Sequence, residues 1–256
     1  MTKNKFVLLD LFRGMAAILV FIGHFRSLMF IDYDGGGILK KVFYASTSLG
    51  HEAVIIFFVL SGFFITRSIL FKVAENNWHW QSYIVDRAFR ILVVLIPAVI
   101  FTFVIDTVGV FYFGKEPLYL GLIGSSVIVE PVVNNLYLVN LLSDIALIPT
   151  EIINVTGSNA SLWSISFEFW SYVLFPLVLF CFINKYSKKM KLLFTFFALF
   201  ILILIAKDGF LYFSLWCFGA LAAFIKKNYV LKKLFYNFFH VFTIFSGYSF
   251  FYFRQV

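Results

Sequence analysis

The chain has 256 residues, of which 62% are hydrophobic and 13% are charged. Soluble domains average about 45–50% apolar and about 25% charged residues, so this composition excludes a water-soluble globule and indicates an integral membrane protein. The net charge is +8. Because lysine and arginine gather in short segments between apolar runs, this charge is better explained by its role in orienting membrane spans than by binding to nucleic acid. Cys181 and Cys217 lie inside such runs without metal-ligand spacing, so we expect no metal.

Seven apolar runs have about the length that crosses a bilayer, which takes about 20 mainly apolar residues. They predict an all-α fold, namely a polytopic transmembrane helix bundle of about seven full spans in a single membrane-embedded domain, 1–256. The tripeptide Lys207-Asp208-Gly209 predicts a tight helical turn between the fifth and sixth runs. The runs are 6–30, 50–72, 91–113, 162–183, 192–206, 210–225 and 235–253.

Basic residues predict the side of the membrane on which each connection lies. Lys3 and Lys5 place the N-terminus in the cytoplasm, and three further lysine- or arginine-bearing connections belong on the same side. The connection 143–161 contains no Lys or Arg and is predicted to lie outside. Lys40 and Lys41, in the first outer connection, run against the rule. The three basic connections are 73–90, 184–191 and 226–233.

The run 117–142 lies between two spans that already complete a round trip from the cytoplasmic side. Glu130-Pro131 and Asn134-Asn135 interrupt it. We therefore expect a re-entrant or two-part element that returns to the outer side, with an ordinary span as the alternative. Broken backbone at membrane depth is tolerated only against protein or a wet cavity.

The first apolar run carries charged side chains that are costly in lipid. Arg13 and His24 are eleven residues apart, which is three helical turns plus about 20°, so they share one face and lie about 16 Å apart along the axis. Asp10 stands one turn before Arg13 and is placed for an i,i+3 ion pair. Charged groups at membrane depth are functional candidates, so we expect this face to point into the protein.

Polar side chains in two later runs are further candidates. Glu168 and His24 each lie six residues inside the outer end of their runs, which is about 9 Å at helical rise. A histidine and a carboxylate at one depth serve as a general base and its orienting partner, or only lock two helices as a buried pair. Glu52 lies near the outer boundary, where solvation explains it equally well. Ser61 and Gly62 permit close helix approach, which favours a packing role.

Arg87 and Arg90 open the third run from the cytoplasmic side. Two arginines three residues apart are suited to clamp a phosphate by bidentate contacts, with topological anchoring as the alternative. Together with Arg13 they would form a cationic mouth on the inner side, while His24 lies far toward the outer side. This arrangement suits an anionic cytoplasmic donor with a long, thin arm.

Four stretches, in order and on consistent sides of the membrane, resemble the acyltransferase-3 family of bacterial membrane acyltransferases. Together they extend over residues 6 to 180. The resemblance implies transfer of an acyl group, usually acetyl from acetyl-CoA, to a hydroxyl of an envelope polysaccharide or lipid-linked sugar at the bacterial cytoplasmic membrane. The stretches are Leu9-Asp10-Leu11-Phe12-Arg13-Gly14 with His24, Phe57-Phe58-Val59-Leu60-Ser61-Gly62-Phe63, Arg87-Ala88-Phe89-Arg90 with Ile91 through Pro97, and Leu162-Trp163-Ser164-Ile165-Ser166-Phe167-Glu168 running to Phe175-Pro176.

The resemblance also implies residue roles. His24 corresponds to the catalytic base and Arg13 to its partner. Many relatives carry an aspartate where this chain has Ile55. In this chain the role of that aspartate falls to Glu52 or to no residue. The family's last spans are absent from these 256 residues, so we expect the domain to be incomplete at its C-terminus. The other matching positions are Arg87 and Arg90, for the donor site, and Ser61, Gly62 and Glu168.

Taken together, these inferences predict an O-acetyltransferase. His24, oriented by Glu168 or Glu52, would take the proton from a sugar hydroxyl as it attacks the thioester, with an acetyl-histidine intermediate as the alternative. A transporter with 117–142 as its gate is the rival from another class. A non-catalytic, truncated relative acting as a membrane subunit is the third possibility.

Overall fold

The computed structural model describes residues 3–30, 33, 35–122, 127–128, 130–183 and 186–224. Within these ranges the fold is all-helical without strands, which confirms the predicted class. Two short 3-10 helices, Val132–Asn135 and Ala160–Leu162, flank the fifth α-helix and precede the sixth. The α-helices are α1 (Lys3–Met29), α2 (Ile38–Thr47), α3 (Gly50–Ala74), α4 (Trp80–Phe113), α5 (Leu138–Ile145), α6 (Trp163–Phe182), α7 (Lys188–Leu204) and α8 (Ala206–Phe224).

Four helical segments are long and apolar enough to cross a membrane, so the expectation of about seven full spans is not confirmed. The helical conformation is interrupted at Ala206, which has a positive φ of 50°. Helix α7, which ends just before this residue, therefore has only 17 residues. The predicted turn at Lys207-Asp208-Gly209 is therefore slightly misplaced, since these residues begin α8. The predicted span 235–253 lies outside the described residues. The four segments are Leu9–Met29, Ile38–Ala74, Trp80–Phe113 and Ala160–Phe182.

The third predicted span begins earlier than its apolar run. Helix α4 has 34 residues, which is about 51 Å at helical rise and exceeds the hydrocarbon thickness of about 30 Å. Arg87 and Arg90 therefore stand within the early turns of a continuous helix and are not at its start. Because helical backbone fixes their spacing, the two side chains project from neighbouring positions on the α4 surface.

The run 117–142 folds back on itself. The amide of Val132 donates to the carbonyl of Tyr119 at 2.9 Å. Gly121 has a φ of +70°, and a Cβ on it would lie 2.8 Å from the backbone of Glu130. The broken element is thus confirmed for the described parts of this run, and the alternative of an ordinary span is wrong. Its position relative to the membrane stays a prediction.

Helices α3 and α8 are in close backbone contact. A Cβ on Gly62 would lie 2.0 Å from the carbonyl oxygen of Trp216, and a Cβ on Gly219 would lie 1.8 Å from that of Val59. The approach expected from the small residue Gly62 is present, because the two backbones meet where no side chain intervenes. Trp216, fully buried at this contact, packs against Phe175 of α6 at 4.7 Å between ring centroids.

The ends of the long helices gather at two opposite ends of the bundle. At one, which we call the cap end, α1 and α4 finish and α3, α6 and α8 begin. The segments 127–128 and 130–162 (together the cap) pack there against α4 and α6, through hydrogen bonds such as those of Ser158 to Asp106 and of Trp170 to the carbonyl of Leu147. The ring of Tyr212 in α8 contacts both Trp163 of α6 at 4.8 Å and His51 of α3 at 6.3 Å there. At the other, the basic end, Lys72 of α3 and Asp86 of α4 form an ion pair of 3.7 Å.

Candidate functional site

Helix α1 packs along α3 through its polar stripe. The predicted ion pair between Asp10 and Arg13 is confirmed at 3.8 Å. The guanidinium of Arg13 also lies over the ring of Phe64 in α3, 5.6 Å from its centroid. Further along, a Cβ on Gly23 would lie 3.3 Å from the Cα of Gly50. The helices are therefore antiparallel, with Arg13 toward the basic end and Gly23 toward the cap end.

The polar stripe of α1 points only partly into the protein. The side chain of Arg13 is 46% exposed and that of Asp10 is 65% exposed. His24 is half-buried and makes no hydrogen bond to any residue that the structure describes. The polar stripe was expected to face the protein interior. The ring of His24 does so in part, whereas the side chains of Asp10 and Arg13 are exposed.

A buried hydrogen-bonded group joins α3 to α6. The hydroxyl of Ser61 donates to Oε1 of Glu168 at 3.0 Å and lies 3.2 Å from the phenol oxygen of Tyr172. The phenol of Tyr172 donates to the same carboxylate oxygen. Two hydroxyl donors, both from buried residues, therefore satisfy one oxygen of the half-buried Glu168.

Glu168 does not lie at the level of His24. It bonds Ser61, whereas His24 adjoins Gly23, which contacts Gly50. Gly50 and Ser61 are eleven residues apart on α3, which is about 16 Å along its axis. The common depth expected from the sequence is not found, because counting from the ends of runs ignores the stagger between helices.

The polar group continues to the basic end through α4. The phenol of Tyr83 donates to the backbone carbonyl of Tyr172 at 3.0 Å. The guanidinium of Arg87 lies 5.6 Å from the ring of Tyr83, and its Nη2 donates to the hydroxyl of Ser68 at 3.3 Å. The Nε of Arg87 is buried without a hydrogen-bond acceptor among the described residues. Arg87 is thus half-buried, with one nitrogen held by Ser68 and its Nε–H not used by a described residue.

Arg13 and Arg87 reach the same face of α3. Their contacts there, Phe64 and Ser68, are four residues apart, or about 6 Å along the axis, and Ser61 lies within about 60° of both around the helix. Two cations directed at one face of a helix favour an anion between or beside them. The side chain of Arg90, by contrast, is exposed and makes no ion pair with a residue in the described ranges.

Glu52 lies on the other side of α3. It is nine residues before Ser61, which is about 180° around the helix, and that face packs against α8. Its Oε2 is buried and accepts no hydrogen bond from the described residues. Glu52 therefore does not stand on the side of α3 that faces α1. Glu168, whose partner Ser61 is on that side, is separated from the level of His24 by about 16 Å along the helix axis.

Comparison with known proteins identifies the family. A family model described as an acyltransferase domain, acyltransferase 3, matches residues 6–255. The chain belongs to the acyltransferase-3 family. No curated protein and no solved structure matches it. Together with the four apolar spans, the match makes this a multi-pass membrane acyltransferase.

Sequence reasoning missed the carboxylates that hold the cap of this acyltransferase. Asp106 of α4 is buried and accepts hydrogen bonds from the amide of Ser158 at 2.6 Å and from its hydroxyl at 3.0 Å. Asp144 of α5 accepts from the amide and hydroxyl of Thr156 at 2.8 and 2.6 Å. An aspartate inside an apolar run was the available signal for Asp106.

The environment of Asp144 opposes its ionisation. Burial raises the pKa of its carboxyl above the ordinary value, and the hydrogen bonds from Thr156 offset this only in part. The cap therefore contains a carboxyl that is more costly to ionise than one in water. As for metals, no three His, Cys, Asp or Glu side chains stand together as a possible ligand set in the described part of the chain.

Proposed function

We propose that this acyltransferase moves an acetyl group from cytoplasmic acetyl-CoA to a hydroxyl of an envelope polysaccharide or lipid-linked sugar, at the bacterial cytoplasmic membrane with its N-terminus in the cytoplasm. The observation that carries the donor assignment is the approach of Arg13 and Arg87 to one face of α3. Guanidinium groups suit phosphate because their planar forks make bidentate contacts.

The donor would bind with its phosphates at the basic end. Arg87 supplies a fixed guanidinium with an unused Nε, and Arg13 and Arg90 supply exposed ones. The thin arm of the donor would then run between α1 and α3 toward His24, which is about 16 Å from Arg13 along the helix axis. Among the described residues this is the stretch along which α1 and α3 remain in contact.

His24 is the proposed base. Its imidazole would take the proton from the sugar hydroxyl while the hydroxyl oxygen bonds to the thioester carbonyl carbon. The carbon–sulfur bond then breaks, and the imidazolium returns the proton to the departing thiolate, which leaves an ester and free CoA. In the alternative, the imidazole nitrogen would bond to the thioester carbonyl carbon as the carbon–sulfur bond breaks, and the sugar hydroxyl oxygen would then take the acetyl group as the nitrogen–carbon bond breaks, with the hydroxyl proton passing to the CoA thiolate. Glu168 would act as a positioning residue, because its hydrogen bonds to Ser61 and Tyr172 hold α3 and α6 in a fixed relative position.

The test is CoA release from acetyl-CoA by the purified protein in lipid nanodiscs, with a glycan acceptor present. We expect His24→Ala to lower the rate by about 10²–10⁴-fold, the usual contribution of general acid–base catalysis. The matched control is His79→Ala, at an exposed histidine just before α4, and it should retain the rate.

Two results would contradict the proposal. One is a His24→Ala protein that acetylates the glycan at the normal rate. The other is a wild-type protein that consumes no acetyl-CoA but moves a sugar into liposomes, which is the behaviour of a transporter. Mass spectrometry of envelope glycans with and without the gene would identify the acceptor by the loss of an acetyl group.

A further inference from the structure

The cap and the start of α6 form a partly open cleft of about 220 Å³. Pockets for drug-sized ligands occupy about 300–1,000 Å³, so this cleft fits one small ring and not an extended molecule. Its walls combine polar groups with one aromatic ring. The polar and aromatic side chains are those of Glu130, Asn135, Thr150, Asn154, Ser158 and Trp163.

The carboxylate of Glu130 is held in place and keeps one oxygen unused. Its Oε1 accepts from the side-chain amides of Asn135 at 2.8 Å and Asn154 at 3.0 Å. Its Oε2 accepts no hydrogen bond from a described residue. Asn135 is itself buried, and its carbonyl accepts from the amide of Gly157 at 3.0 Å. A fixed carboxylate with a free oxygen makes strong, charge-assisted bonds to hydroxyl donors.

The ring of Trp163 is the aromatic wall of the cleft. It packs against the rings of Tyr212 at 4.8 Å and Phe167 at 5.9 Å between centroids. A ring held in this way offers a rigid apolar face at little entropic cost. The apolar C–H face of a pyranose fits such a surface, while its hydroxyls need the donors and acceptors around it.

The charge of the cleft excludes the donor as its ligand. Its lining includes the carboxylate of Glu130 and no Lys or Arg. A phosphate-bearing molecule such as CoA would be repelled, whereas a neutral polyhydroxyl ring would not. The amides of Asn135 and Asn154 and the hydroxyls of Thr150 and Ser158 provide the polar contacts that such a ring needs.

The cleft also lies at the cap end of the bundle, where His24 is found. Trp163 contacts Tyr212, which contacts His51, the neighbour of Gly50. Gly50 in turn meets Gly23 of α1, next to His24. The cleft and the proposed base therefore share the cap end, on the side opposite to Arg87 and the donor phosphates.

From this geometry we infer that the cap cleft is a carbohydrate subsite, which binds one pyranose ring of the acceptor against Trp163 with its hydroxyls on Glu130 and Asn154. Its role in acyl transfer rests on the proposed function, but sugar binding itself does not.

The experiment measures binding of methyl glycosides of glucose, galactose and N-acetylglucosamine by saturation-transfer NMR, with the protein in nanodiscs free of glycoside detergents. We expect at least one glycoside to bind, with its ring protons saturated. Glu130→Gln keeps both amide bonds to Oε1 but removes the charge, and should weaken binding about tenfold. Asn154→Ala should weaken it similarly.

Two matched controls come from the same part of the chain. Glu151→Gln and Asn134→Ala change an exposed carboxylate and an exposed amide outside the cleft, and both should bind as the wild type does. Equal thermal unfolding midpoints for all four variants would show that the fold is retained. The subsite is overturned if no glycoside binds, or if Glu130→Gln and Asn154→Ala bind as well as their controls.

Parallel measurement of CoA release separates this inference from the proposed function. A wild-type protein that releases CoA from acetyl-CoA but binds no glycoside overturns the subsite and leaves the acetyl transfer standing. A protein that binds glycosides through Glu130 and Asn154 but never consumes acetyl-CoA supports the subsite and overturns the transfer.

Discussion

Ser61 and Glu168 are joined by a hydrogen bond of 3.0 Å between α3 and α6. They are 107 residues apart in the chain, and each belongs to a different stretch that resembles the acyltransferase-3 family. The phenol of Tyr172 donates to the same carboxylate oxygen, and Tyr83 extends the group to α4. Three spans are therefore held in one register by polar groups inside an apolar bundle.

The first prediction concerns the strength of this group. Ser61→Ala should lower the free energy of unfolding by about 1 kcal/mol, the net value of one hydrogen bond. Glu168→Ala should cost more, since each buried hydroxyl left unpaired costs about 1–3 kcal/mol. The two changes should couple by about 0.5–3 kcal/mol in a double-mutant cycle, measured by unfolding in mixed micelles. Ser214→Ala, at an exposed hydroxyl on α8, is the control. Strict additivity would contradict the contact.

The second prediction concerns the meeting of α3 and α8. Gly62→Ala places a methyl group against the carbonyl of Trp216, and overpacking of this kind costs about 1–3 kcal/mol or more. Gly14→Ala, on α1, meets no atom within 4 Å and should be neutral or stabilise the helix by up to about 1 kcal/mol. Thermal unfolding of the two variants in the same detergent provides the measurement. Similar midpoints would show that the helices separate easily at Gly62.

The third prediction concerns the donor site. Arg87→Lys keeps the positive charge but loses the planar fork, so it should raise KM for acetyl-CoA about tenfold with a smaller change in kcat. Arg67→Lys on α3 is the charge-matched control, because its guanidinium lies over Phe63 on the side of α3 away from Ser68. An unchanged KM combined with a lowered unfolding midpoint would assign Arg87 a structural role only.

The fourth prediction is a pH dependence in the cap. Asp144 has a raised pKa in the folded protein, so the folded state holds its proton more tightly and wild-type stability falls as pH rises through the window above the ordinary pKa. Both hydrogen bonds from Thr156 end on one oxygen, and the amide oxygen of an asparagine can accept both. Asp144→Asn should therefore be more stable than the wild type at pH 7.5.

Measured unfolding midpoints at two pH values test this prediction. The advantage of Asp144→Asn should shrink between pH 7.5 and pH 4, because the wild-type carboxyl gains its proton on acidification. Asp144→Ala, which leaves the buried amide of Thr156 without an acceptor, should lose about 1–3 kcal/mol at both values. A wild type that is more stable than Asp144→Asn at pH 7.5 would show that the ionised carboxylate is favoured.

Features that depend on one helix, or on composition, followed from the sequence alone. The membrane class follows from the apolar content, and the pair of Asp10 and Arg13 follows from helical spacing, which is the same in every α-helix. The break in 117–142 follows from its Pro and Asn residues. The close approach at Gly62 follows from the small size of that residue.

The tertiary structure alone decided which polar groups meet. Glu168 bonds Ser61 and does not lie beside His24, Glu52 faces α8, and Asp106 holds the cap through Ser158. These outcomes depend on the stagger and rotation of neighbouring helices. Both are set by side-chain contacts between helices, such as Gly23 against Gly50, and no local periodicity encodes them.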